Sequence, residues 1–381
     1  MAPRGGIYSF QHLANSLAPI RAEGGLRIGD ETVMPKLLLV GRNDRRLSEI
    51  ARANGVDAWS TDLDSALIDP DYQIFFDAAA THMRADVLHQ ALAAGKHIYA
   101  EKPVAMSVED GLALLREAKS RGLKHGVVED KLHLPGLLKL KRLVDSGFFG
   151  RIVGFKLEFG WWVFDGIAAP AQRPSWNYMR AAGGGLISDM YPHWRYVIEG
   201  LLGPIGQVVC ATSTAQGERA DESGAGFRVD VEDCATTLLR MESGLVGTIL
   251  SSWATRVRRE DLLTLQTDGT DGSAVAGLRR CHTQPAAETP TILGFRMGRD
   301  ADTMSVGTDY YAGWQEVTDA TPYKNPYRYG WERFIAHVVA DAPFHSPLSA
   351  GIRDVQLTEA CLDSAASGTW IDMPSLTDDA Q

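Results

Sequence analysis

The chain has 381 residues, 45% hydrophobic and 23% charged, a composition that excludes disordered, collagen-like and coiled-coil classes. Its 38 Lys and Arg stand against 48 Asp and Glu, a net charge of −10 that argues against a nucleic-acid partner and for a small neutral or cationic ligand. The longest apolar runs, such as Leu37–Val40 and Ile74–Phe76, fall far short of the roughly 18 residues of a membrane span, so no membrane partner is expected.

At roughly 150 residues per domain the length predicts two domains, or one large barrel. Cys210, Cys234, Cys281 and Cys361 are scattered, with no C-x-x-C pair and no histidine at zinc spacing, so neither a disulfide frame nor a metal site is expected. The opening Met1–Gly6 has no apolar core of a secretory signal, and a reducing cytoplasm is the expected compartment.

From about residue 35 to 130, short apolar runs alternate with amphipathic stretches of helical period, which predicts a parallel sheet with covering helices. Leu37–Val40 reads as a strand ending at Gly41. Arg45–Asn54 reads as a helix closed by Gly55. Ile74–Phe76 is the next strand, Ala85–Ala94 a helix closed by Gly95, and His97–Ala100 the strand after it. A helix at Val108–Arg121 and a strand near His125–Val128 complete the repeat, and Leu137–Val144 follows as a helix.

The pattern then changes. Arg151 to about Gly313 is rich in Val, Thr, Phe and Trp, with one helix near Tyr191–Leu202, which predicts an α+β domain on a large open, mostly antiparallel sheet. Helical stretches at Trp331–Ala340 and Gly351–Ser367 close the chain. The predicted boundary lies at residue 130, dividing a Rossmann-like α/β domain at 1–130 from a substrate-binding and oligomerisation domain at 131–381.

Glu101-Lys102-Pro103 stands at the end of the strand His97–Ala100. Ligands of open α/β sheets bind beyond the carboxyl ends of the strands, and the proline disfavours helix at Lys102, so the lysine is expected to project toward a ligand. The surrounding A-L-A-A-G-K-H-I-Y-A-E-K-P resembles the cofactor-domain signature of the Gfo/Idh/MocA oxidoreductases, the family of glucose-fructose oxidoreductase and inositol dehydrogenase. T-D-L-D-S-A-L-I-D-P-D at 61–71, G-G-G-L-I-S-D-M-Y-P-H-W at 183–194 and G-W-E-R-F at 330–334 extend the resemblance. It implies a Rossmann domain followed by an α/β domain whose sheet serves in oligomer contacts. It also implies hydride transfer between NAD or NADP and a secondary hydroxyl or ketone carbon of a sugar, glycoside or cyclitol.

The family pattern sets an Asp and a His four residues apart, here Asp189 and His193, and that spacing puts both on one helix face. Pro192 is tolerated if it lies in the first turn. Oxidising a carbinol needs a base titrating near neutrality, which suits a histidine. His193 is therefore assigned to proton transfer, Asp189 to orienting it or binding a neighbouring hydroxyl, and Lys102 to donating to the reacting oxygen, or to acting as the base itself if burial lowers its pKa.

Trp161, Trp162, Trp176 and Tyr178 form a candidate aromatic wall for a sugar, and Asp130, between Glu129 and Lys131, a candidate hydroxyl binder. Arg180 and Arg195 read as ion-pair partners.

Two features depart from the pattern. The first β-α turn should carry G-x-G-x-x-G after a buried strand, yet no apolar strand precedes Gly5 and Gly6, which fall where the loop would be, with Gln11–Ile20 as the following helix. Either that strand lies upstream of Met1, or the dinucleotide is bound without it, or the protein is a non-catalytic sugar-binding or assembly member of the fold. After Leu37–Val40, where NAD-dependent relatives present an Asp, stand Gly41, Arg42 and Asn43. Nothing there repels a 2′-phosphate and Arg42 is placed to pair with one, a slight lean to NADP. Gly5, Gly6, Gly41, Arg42, Asn43, Glu101 and Lys102 are thus the expected cofactor contacts. The expected assembly is a homo-oligomer, dimer or tetramer.

Overall fold

The computed structural model describes residues 9–162, 173–290 and 309–376. The chain enters through a helical segment, Ser9–Leu17, that continues into α1 (Ala18–Ala22), and an antiparallel hairpin follows, β1 (Leu26–Ile28) with β2 (Glu31–Val33). Parallel units then run β3 (Leu38–Val40), α2 (Asp44–Ala53), β4 (Ala58–Ser60), α3 (Leu63–Ile68), β5 (Ile74–Asp77), α4 (Thr81–Ala93), β6 (His97–Ala100), α5 (Val108–Ser120) and β7 (His125–Val127). Local chemistry sets their ends. Asn43, Asp62 and Ser107 each accept a backbone N–H at the start of α2, α3 and α5, and Gly55 and Gly95 take the left-handed conformation that ends α2 and α4.

The parallel sheet is split. β3 pairs with β4, β5 with β6 and β6 with β7, but among the described residues no strand joins β3 to β5. This is where the expected first strand of such a sheet would lie. Leu13 and Leu17 of the entry helix share a core cluster there with Leu39 of β3, Ile74 and Phe76 of β5, and Trp331 and Phe334 from the far end of the chain. Gly5 and Gly6 lie outside the described residues.

The second half opens with α6 (Pro135–Asp145) and β8 (Ile152–Gly160). It continues through α7 (Leu186–Leu202), β9 (Ile205–Ser213), the hairpin β10 (Glu218–Ala220) and β11 (Gly226–Arg228), β12 (Cys234–Met241), β13 (Val246–Ser252), β14 (Leu263–Gly269), β15 (Gly272–Ala276), β16 (Cys281–Pro285) and β17 (Gln315–Glu316). After α8 (Pro326–Ala340) and α9 (Leu348–Ser367), β18 (Ile371–Asp372) completes a nine-stranded sheet in the order β17-β16-β15-β14-β8-β13-β12-β9-β18. Only the β8–β13 pair is parallel.

Burial alternates along β12, where Ala235, Thr237, Leu239 and Met241 face the core while Thr236 and Arg240 are exposed. One face of the sheet is therefore covered and the other open. The cover is α7, which buries nearly its whole circumference because the sheet, α9 and the first domain surround it. α8 and α9 return to the first domain: Phe334 stacks on Tyr99 of β6, and Ile352 and Val355 join the core formed by Leu88, Ile98 and Leu115.

Candidate active site

Lys102 leaves the end of β6 on a braced loop. The buried Arg84 of α4 donates to Asp77 Oδ2 at 2.6 Å, to the Ala79 carbonyl at 2.6 Å and to the Pro103 carbonyl, tying the ends of β5 and β6 together. Glu101 is 4% exposed and faces inward: one carboxylate oxygen bonds His12 Nε2 at 2.7 Å, and Trp331 donates to the other nitrogen of that imidazole at 3.0 Å. Glu101 thus anchors the entry helix and α8, where a cofactor contact was expected.

The run Gly183-Gly184-Gly185 launches α7 against the 176–179 turn. A Cβ on Gly184 would lie 2.5 Å from the Asn177 carbonyl and 2.6 Å from that of Trp176, and Gly185 has φ 118. Because the obstacles are backbone atoms, Gly184→Ala is expected to destabilise the fold by about 1–3 kcal/mol, read as a lower denaturation midpoint. A midpoint at or above the wild-type value would show that the turn yields freely.

The helix begins at Leu186, five residues before the predicted Tyr191, so Pro192 lies inside α7 and not in its first turn. It has no N–H for the Ser188 carbonyl, and the helix is loosened there. On this stretch the Asp189 carbonyl accepts from Lys102 Nζ at 2.5 Å, and Asp189 Oδ1 accepts from the same ammonium at 2.8 Å. Arg173 donates to Asp189 Oδ2, so both carboxylate oxygens are engaged by cations. His193, one turn on and 7% exposed, bonds Tyr196 Oη through Nδ1 at 2.6 Å.

Burial dominates the electrostatics. It pushes the Lys102 ammonium down to about 7, with Arg173 adding repulsion, and lowers His193 well below 6.5 in the field of Lys131, Lys102 and Arg173. The imidazole is accordingly neutral at neutral pH. Lys102, Asp189 and His193, drawn from two domains, form one cluster capable of moving a proton at a small ligand.

The other expected residues divide. Arg42 follows β3, is exposed and makes no ion pair among the described residues; Gly41 precedes it, and the Asn43 side chain accepts from Arg46 N as a helix cap. Trp161 packs at the edge of the main core, Trp162 is 42% exposed and Trp176 is half-buried. Tyr178 departs from the aromatic wall: it is buried beneath the Arg219 guanidinium, 3.9 Å from its ring, and its hydroxyl accepts the Arg173 backbone N–H. Asp130 is likewise enclosed, one oxygen accepting from Tyr196 and the other from Lys131, so it does not stand open to a hydroxyl. Arg195 is an ion-pair partner, to Glu129 and Asp354. Arg173 and Tyr196 escaped the sequence reading, although Tyr196, three residues after His193, was within reach of a helix-face argument.

The carboxyl ends of β3, β5 and β6 lie where a dinucleotide sits in such sheets, and the residues there suit one. Arg42, exposed and without an ion pair among the described residues, would meet the adenosine end, and Lys102 the reacting end. Among the described residues no group of three or more His, Cys, Asp or Glu is arranged to hold a metal ion, and no helix is long and apolar enough to cross a membrane.

Comparison with known proteins accords with this geometry. Residues 35–128 match the oxidoreductase family with an NAD-binding Rossmann fold, and residues 137–275 match the GFO/IDH/MocA C-terminal domain. A D-xylose dehydrogenase from Paenarthrobacter nicotinovorans is 43% identical over 96% of this chain and 94% of its own length. A levoglucosan dehydrogenase from Pseudarthrobacter phenanthrenivorans is 26% identical over 88% of each. A solved levoglucosan dehydrogenase in complex with NADH and L-sorbose superposes with a TM-score of 0.79 at 22% identity, covering 98% of both chains, a likeness of fold. With both halves matched and a 43% identical relative spanning nearly its full length, the chain belongs to the Gfo/Idh/MocA family of NAD-binding oxidoreductases.

Proposed function

We propose that the protein is a dehydrogenase of a neutral sugar, with Lys102, Asp189 and His193 as its reaction centre. The observation that carries this reading is the meeting of Lys102, from the cofactor domain, with Asp189 on α7 of the other domain, one turn before His193. The bound nicotinamide supplies the hydride acceptor. His193 takes the hydroxyl proton, Lys102 donates to the reacting oxygen, and Asp189 holds the lysine in place. Trp162 and Trp176, both accessible, offer faces for the C–H side of a sugar ring.

The 43% identity to a D-xylose dehydrogenase makes an aldopentose the first substrate to test, with levoglucosan and a cyclitol next. Initial rates of dinucleotide reduction are expected to rise with one of these sugars. A protein that binds sugar but reduces neither NAD nor NADP would support the non-catalytic reading instead.

NAD(H) is the family cofactor, and Arg42 is the residue through which NADP would be accepted. Arg42→Ala should weaken NADP more than NAD, by roughly 1–3 kcal/mol, as expected for loss of a charge-assisted phosphate bond. Equal loss for both, measured by titration of each dinucleotide, would make Arg42 a support for adenine. The exposed Val246 and Leu250 share one face of β13 and favour a homo-oligomer joined through the open side of the sheet. Four free cysteines fit a reducing cytoplasm.

A further inference from the structure

Behind the reaction centre, His193 leads into two buried side chains that the mechanism above leaves unused, Tyr196 and Asp130. His193 Nδ1 is 2.6 Å from Tyr196 Oη, and Tyr196 Oη is 3.1 Å from Asp130 Oδ1, with all three residues at most 7% exposed. His193 and Tyr196 sit on one face of α7, and Asp130 follows β7, so the chain crosses from one domain to the other.

The protons in this chain can be counted. Burial alone would raise the Asp130 carboxyl, but the charge of Lys131 and the bonds from Lys131 and Tyr196 outweigh it and keep the group below its ordinary value. An ionised carboxylate only accepts, so the single hydroxyl proton of Tyr196 goes to Asp130. The hydroxyl oxygen is then left to accept, which it does from the Lys131 backbone N–H at 3.2 Å. The same oxygen faces His193 Nδ1. A neutral imidazole donates through one nitrogen and accepts through the other, and an acceptor oxygen at Nδ1 requires the proton there.

We infer that Tyr196 and Asp130 are positioning residues that hold His193 in its Nδ1–H tautomer, so that Nε2 is the atom that takes the substrate proton. The inference rests on His193 being the proton acceptor of the proposed reaction. As the substrate O–H breaks, its proton passes to Nε2 and the electron pair stays on the oxygen to become the second bond of the carbonyl, while the hydride leaves the carbon. Nδ1 and Tyr196 keep their own protons, and Asp130 stays ionised. The imidazolium donates more strongly to Tyr196, and the tyrosine's bond to Asp130 directs that charge toward a carboxylate. The groups facing His193 are Lys131, Lys102 and Arg173, which oppose the imidazolium, and Asp130, 3.8 Å away, which favours it.

The test is nitrogen NMR of the full-length protein carrying 15N-histidine, with the His193 signals identified by their loss in His193→Gln. The wild type should show a protonated Nδ1 and a bare Nε2. Tyr196→Phe should give a mixture of tautomers, move the acid limb of the pH profile and lower kcat roughly 10- to 10²-fold, with the sugar KM changed less than about two-fold. Asp130→Asn, whose amide can donate to Tyr196 and reverse its hydroxyl, should act in the same direction. In the His193→Gln background, Tyr196→Phe should cost nothing further. A wild-type Nε2–H tautomer, or unchanged kcat in both variants while His193→Gln is impaired, would overturn the positioning role alone. Full turnover by His193→Gln would remove the base assignment, and this inference with it.

Discussion

His193→Ala is expected to lower kcat by about 10²–10⁴, the usual contribution of a positioned general acid or base, and to leave dinucleotide affinity nearly unchanged. The separation follows from the topology: His193 lies on α7, whereas the strand ends that suit the dinucleotide belong to the other domain. Because burial and three neighbouring cations hold the imidazole well below 6.5, it is neutral and able to accept a proton through the neutral range. Wild-type oxidation should therefore fall on the acid side as His193 takes up a proton, and on the alkaline side of about 7 as the Lys102 ammonium is lost. The acid limb should vanish in the variant.

Lys102→Ala should also depress kcat/KM. The double variant should lose less than the summed effects, since two groups acting on one oxygen are not independent. Steady-state kinetics over pH reads all three quantities. Wild-type turnover by His193→Ala on every accepted sugar would transfer the base role to Lys102, whose ammonium titrates near 7 and is poised for it.

The second large effect is on stability. Arg195 is 6% exposed and donates to Asp354 Oδ1 at 2.6 Å, to Glu129 and to the Ala350 carbonyl at 2.9 Å, and Ser346 secures the other Glu129 oxygen at 2.7 Å. One guanidinium thus joins α7, α9 and the end of β7. Replacing it with methionine keeps volume but leaves two buried carboxylates without their cation, and such losses cost about 3–5 kcal/mol. A fall of that size in unfolding free energy, measured by denaturant titration, is expected. A loss below about 1 kcal/mol, the range of exposed ion pairs, would mean that the carboxylates take up protons and the network contributes little.

Much of this organisation was legible in the sequence, and particular residues show why. The β5 and β6 strands are short, mainly apolar runs, and the helices before β6 and β7 end in glycine, a local signal that needs no tertiary knowledge. Lys102, Asp189 and His193 could be picked out because each sits in a run whose spacing is itself informative. The β1–β2 hairpin and β4 were not foreseen, because three-residue strands such as Ala58-Trp59-Ser60 carry too little periodicity to stand out. The start of α7 was missed because three glycines read as a loop, whereas they are the residues that let the helix begin against a neighbouring turn.

Asp130 was expected to meet a sugar hydroxyl, but Tyr196 engages it and Arg195 engages Glu129, each from 66 positions away in sequence. Arg173 is the same case in reverse: nothing near it in sequence points to Asp189, and only the folding of α7 brings the two together. Long-range partners of this kind have no signature in a single chain.

A crystal structure of the ternary complex with NAD and the accepted sugar should show His193 and Lys102, the latter held by Asp189, meeting at one reacting oxygen. A single sugar oxygen is expected within about 2.6–3.2 Å of both His193 Nε2 and Lys102 Nζ, on a carbon facing the nicotinamide. A sugar seated elsewhere, or a His193 ring beyond water-bridged reach of every sugar hydroxyl, would contradict it.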